Sequence, residues 1–81
     1  RKNMIMIKAV KRVLKKRNKA MRSNLWAKQW KDRIYINGGG GPWDFYIDSF
    51  GEAHFKWYEP GTGPRLLADL IKLELMETKN Q

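Results

Sequence analysis

The stretch RIYINGGGGPWDFYID, residues 33–48, sets four consecutive glycines and a proline between two aromatic-rich runs. A phosphate-binding loop needs its glycines between a strand and a helix, so that backbone N–H groups and the helix N-terminus meet the anion. Here Gly41 is followed by Pro42 and then by the alternation of a strand, with neither a Gly-Lys-Ser/Thr ending nor a G-x-G-x-x-G spacing. The glycines therefore read as the tip of a β-hairpin, whose freedom in φ suits it to a partner surface.

Outward from the glycines, three short runs alternate in character. Arg33–Ile36 sets Ile34 and Ile36 against Arg33 and Tyr35; Trp43–Asp48 sets Trp43, Phe45 and Ile47 against Asp44, Tyr46 and Asp48. Ala53–Tyr58 sets Ala53, Phe55 and Trp57 against His54, Lys56 and Tyr58. Period two, aromatic enrichment and flanking turn residues predict strands. SFGE, 49–52, reads as the tight turn of a second hairpin, and EPGTGP, 59–64, as a loop.

Helical periods flank these strands. In residues 4–22, Lys8, Lys11, Arg12, Lys15, Lys16, Lys19 and Arg22 share one arc, and Met6, Ile7, Ala9, Val10, Val13, Leu14, Ala20 and Met21 share the opposite one. Arg17 alone falls inside the apolar arc. Ser23 or Asn24 is placed to cap a short second helix, with Trp26 and Trp30 one turn apart. RLLADLIKLELME, 65–77, predicts the last helix, with Leu66, Leu70 and Leu73 on one side and Leu67, Ile71 and Leu75 on another. So wide an apolar arc implies burial between the sheet and the first helix.

The expected fold is α+β: a three-stranded antiparallel sheet with a basic N-terminal amphipathic helix and a C-terminal helix on one face. One small domain, 1–81, divides into a basic helical segment (1–31), the sheet (32–58), a loop (59–64) and the last helix (65–77). With no cysteine and one histidine, neither a disulfide frame nor a metal site is expected, and no cofactor is implied. No stretch is apolar enough for a membrane span or a signal core, so the expected compartment is cytoplasmic. A start at Arg1 reads as a trimmed or processed product.

Charge is the strongest functional signal. Of 17 Lys and Arg residues, 13 lie in residues 1–33 against Asp32 alone, whereas residues 34–81 hold 4 against 7 acids, so the two parts carry +12 and −3. That asymmetry points to a polyanionic partner: RNA, DNA or a nucleoprotein, with an acidic protein surface as a further option. The candidate binding residues are Lys8, Lys11, Arg12, Lys15, Lys16, Lys19, Arg22, Trp26, Lys28, Trp30, Arg33 and Tyr35. A membrane surface is disfavoured because the core needs the apolar arc of the first helix.

On the open sheet face, Tyr35, Tyr46 and Tyr58 are expected beside Arg33, His54 and Lys56, a mixture that stacks bases and meets phosphates. Tyrosines also suit half-exposed strands, and Asp44 and Asp48 on the same face weigh against a phosphate track. The nearest approach to a catalytic group is Asp48, Glu52 and His54 around the second turn, where the two acids serve as ordinary turn residues. Neither Ser23 nor Ser49 has a partnering His and acid. A non-enzymatic binding module is the expectation.

KDRIYING and WDFYIDSFGE, within residues 31–52, resemble the small accessory proteins of phages and mobile elements, anti-CRISPR inhibitors among them. The resemblance implies an alternative, inhibition by protein–protein binding to a nuclease effector complex, and carries no functional residue over. Many such inhibitors are acidic nucleic-acid mimics, whereas this chain has a net charge of +9.

Overall fold

Helix α1 (Lys2–Met21) ends in a turn that decides the path of the next ten residues. Arg22 takes the left-handed conformation, φ 53°, and the Ser23 N–H reaches back to the Asn18 carbonyl at 3.2 Å. That six-to-one closure stops a helix. The Asn18 side chain then holds the chain beyond it: its Oδ1 accepts the Leu25 N–H at 2.7 Å and the Ser23 hydroxyl at 3.0 Å, and its Nδ2 donates to the Leu25 carbonyl at 3.0 Å. Directly after Leu25 the chain enters β1 (Trp26–Trp30). The short second helix expected over 23–32 is therefore a strand, and the helical segment stops at 21 rather than 31. Ser23 serves the end of one helix and not the start of another.

A computed structural model describes residues 2–38, 44–56 and 61–79. After β1 come β2 (Arg33–Asn37), β3 (Phe45–Ile47), β4 (Ala53–Phe55) and α2 (Thr62–Lys79). The sheet has four antiparallel strands, not three, in the order β1-β2-β3-β4. Trp30 faces Arg33 across the two-residue turn Lys31–Asp32, where Lys31 has φ 56°. The four-glycine segment lies in the connection between the antiparallel neighbours β2 and β3, as expected of a hairpin, although residues 39–43 themselves lie outside the described residues. Trp43, Trp57 and Tyr58 lie outside them as well.

Alternation gives this sheet one apolar face. Ile34, Ile36, Phe45 and Ile47 are buried, with Ala27, Ala53 and Phe55 partly buried around them. Val10 and Leu14 of α1 and Leu67, Ala68 and Ile71 of α2 complete the same cluster. The two helices run in opposite directions: Arg17 and Met21 share a groove with Pro64 and Leu67, while Arg12 meets Glu74 at 3.2 Å. They lie side by side, so α2 is not enclosed between α1 and the sheet. Helix α2 also begins earlier than expected, at Thr62, because Pro64 is tolerated in a first turn whose N–H groups have no helical partner.

Where β2 ends, Gly38 passes so close to Leu25 that an added Cβ would run into the leucine Cδ2. Asn18 holds the Leu25 backbone and the core holds its side chain, so neither can retreat freely. Gly38→Ala should lower the unfolding free energy by about 1–3 kcal/mol. The double variant with Leu25→Ala should lose less than the sum of the single changes, as a urea-denaturation cycle would measure.

Candidate nucleic-acid interface

Because Ile34, Ile36, Phe45 and Ile47 point toward the helices, their neighbours in sequence point the other way. Register then lines those neighbours up. Lys28 pairs with Tyr35, Tyr35 with Tyr46, and Tyr46 with His54, a row running straight across all four strands. At strand spacing such a row spans roughly 14 Å. Its rings are in contact: Trp30 to Tyr35 at 6.4 Å between centroids, Tyr35 to Tyr46 at 5.4 Å, and Tyr46 stacked on His54 at 4.7 Å with 10° between planes.

Cations lie on these rings. The Arg33 guanidinium carbon sits 4.5 Å from the Tyr46 centroid, and Lys31 Nζ 4.7 Å from that of Trp30. Arg33 Nη1 also donates to the Tyr35 hydroxyl at 3.3 Å, and this bond above all raises an already high pKa, so the guanidinium stays charged. A guanidinium lying over a ring can present its other face to a further planar group. Trp26 and Trp30 are exposed large aromatics.

The two aspartates that weigh against a phosphate track are engaged in holding the hairpins. Asp44 Oδ2 accepts the Gly38 N–H at 3.0 Å. Asp48 Oδ1 accepts the N–H groups of Phe50 and Glu52 at 2.9 and 3.0 Å, and its Oδ2 lies 2.6 Å from His54 Nε2. The expected turn at 49–52 closes around this carboxylate, with Gly51 at φ 86°. Partial burial pushes the Asp48 carboxyl up, but the hydrogen bonds from His54, Glu52 and Phe50, with the charge of His54, outweigh it and hold the group below the usual carboxylate range.

The twelve residues expected to form one surface divide. Trp26, Lys28, Trp30, Arg33 and Tyr35 share the open face or its β1 edge. Lys11 and Lys15 join them from α1, lining with Trp26 a shallow groove of about 330 Å³ along that edge. Arg12 turns the other way and pairs with Glu74 of α2, and Lys16 lines the groove between the helices. Lys8, Lys19 and Arg22 are exposed. Three contributors lie outside the expected set. Tyr46 and His54, already expected on the open face, extend the row through β2–β3 and β3–β4 pairing, and Lys31, in the turn that follows once Trp26–Trp30 is a strand, covers Trp30. No protein-family model, curated protein or solved structure matches this chain, so the reading of the site rests on its geometry.

A carboxyl held below its usual range stabilises the fold fully above the unfolded value near 4, and that contribution is lost as pH falls through the folded value. Asp48→Ala should therefore cost about 1–2 kcal/mol at neutral pH, mostly from the stranded turn N–H groups. The difference from wild type should narrow as pH falls below the unfolded value and through the lower folded one. Denaturation midpoints across a pH series would measure both.

Proposed function

We propose that this protein binds single-stranded nucleic acid without catalysing a reaction, stacking bases on the open sheet face and meeting phosphates with the cations around it. The observation that carries this reading is the Trp30–Tyr35–Tyr46–His54 row with Arg33 and Lys31 lying on its rings. A sheet surface of this kind takes unstacked bases, because every base has a π-face, and four strands have room for two or three. A duplex hides those faces and leaves only its backbone and the base edges in its grooves. The groove holding Lys11, Lys15 and Trp26 gives the strand a route from the sheet face around the β1 edge toward α1. A strand displayed by a nucleoprotein would serve equally well.

Fluorescence anisotropy with labelled single-stranded RNA, single-stranded DNA and duplex DNA over a salt series tests the reading. Single strands should bind more tightly than duplex, with affinity falling steeply as salt rises. Trp30→Ala should weaken single-strand binding by about 5- to 100-fold and barely alter the salt slope, since stacking and not charge is removed. Changing Lys8, Lys15 and Lys19 together to glutamate should weaken every polyanion and flatten the slope. A native circular dichroism spectrum with no binding at low salt would overturn the proposal, and equal binding of duplex would remove the sheet face from it.

A further inference from the structure

Strand β1 leaves one side of its backbone open in a regular way. The two-residue turn Lys31–Asp32 makes Trp30 and Arg33 the closing, hydrogen-bonded pair of the hairpin, and bonded pairs then alternate with non-bonded ones. Lys28 and Trp26 therefore also bond to β2, whereas the N–H and C=O groups of Ala27 and Gln29, and of Leu25 before them, point outward. At Leu25 that outward position is filled. The Asn18 amide accepts the N–H at 2.7 Å and donates to the carbonyl at 3.0 Å, the two bonds that a residue of a neighbouring strand would make. At Ala27 and Gln29 no described residue does the same.

The groove of about 330 Å³ along this edge has α1 on one side and β1 on the other. Lys11 and Lys15 line it, and none of its lining residues is acidic. On the sheet face Lys28 stands between Trp26 and Trp30, both exposed. From this arrangement we infer that β1 takes up an extended, acidic segment of another protein as a fifth strand, paired at Ala27 and Gln29 in continuation of Asn18.

An extended peptide presents a donor and an acceptor together at every second residue, a repeat of about 7 Å that matches the two open positions. A sugar–phosphate backbone presents mostly acceptors and would leave the carbonyls of Ala27 and Gln29 open. In strand addition of this kind main-chain bonds supply the affinity, and side chains select the partner. Alternate side chains of the added strand fall beside Lys28 on the sheet face and beside Lys11 and Lys15 on the helix face. A carboxylate meets a cation on either side. The contact is independent of the nucleic-acid reading, although an added strand would cover the groove which that reading gives to a nucleic acid.

Fluorescence anisotropy of the full chain with a labelled peptide of alternating glutamate and valine, about eight residues long, is the test. The peptide should bind, and amide hydrogen exchange at Ala27 and Gln29 should slow when it does. The same peptide N-methylated at its central residues keeps every carboxylate but loses its donors, and should bind about tenfold more weakly or worse. A lysine–valine peptide should not bind. Gln29→Pro removes an outward N–H and no bond to β2, as proline does on an edge strand. With a native circular dichroism spectrum it should weaken the acidic peptide by about tenfold and leave single-stranded DNA binding unchanged. The peptide measurements stand whether or not the chain binds nucleic acid. No peptide binding up to about 1 mM, equal binding of plain and methylated peptides, or loss of DNA and peptide together in Gln29→Pro would overturn the inference. So would an edge already closed by a second copy, seen in sedimentation equilibrium as a dimer that the peptide leaves intact.

Discussion

Ile34, Ile36, Phe45 and Ile47 must all leave water together, and in a strand that requirement fixes the direction of every residue between them. A slip of one residue between β2 and β3 would turn one strand over against the other: if β3 moved, Tyr46 would be buried and Phe45 and Ile47 exposed. Burial on the helix side thus determines the order on the other side, and the row from Lys28 to His54 is its direct product. The sheet needs no dedicated device to assemble its aromatic face. What it needs is the correct strand pairing, and among the described residues the turn at Lys31 supplies that for β1 and β2 and the turn around Asp48 for β3 and β4.

At the junction of helix and sheet, a few atoms hold the geometry. Asn18 ends α1, launches β1 and keeps Leu25 against the core, while Gly38 gives Leu25 the space it occupies. The same junction sets α1 over the β1 edge, which brings Lys11 and Lys15 beside Trp26. Salt bridges contribute less. Arg12–Glu74 and Lys72–Glu52 are solvent-exposed pairs that orient α2 more than they stabilise it.

Much of this architecture is legible in the sequence, because hydrophobic period is a strong signal where it is unambiguous. Val10 and Leu14, and Leu67 and Ile71, declare two helices; Ile34 and Ile36 declare a strand. Trp26 and Trp30 do not, since a spacing of four residues fits one helical turn and two strand repeats equally well. The tie is broken by Asn18, eight residues before Trp26, through hydrogen bonds that no local pattern contains. Likewise, the charge asymmetry marks the N-terminal part, but only the seating of α1 separates Lys11 and Lys15, beside the sheet edge, from Arg12 and Lys16, which face α2. The wide apolar arc of the last helix is also visible in the sequence. Its excess is exposed because α1 lies next to α2 and not on top of it.

Strand β1 is the outermost strand of its sheet on one side, with backbone N–H and C=O groups that no fifth strand takes up among the described residues. An edge of that kind invites the edge of another molecule, and unchecked pairing there leads to fibres. Lys28 stands at its centre, and Lys11 and Lys15 line the groove with Trp26 and Ala27 along the same strand. Two such edges approaching each other would bring like charges together before a backbone bond could form. The cations on which the proposed polyanion binding rests thus also set like charges against edge-to-edge pairing, and both effects weaken as ionic strength rises.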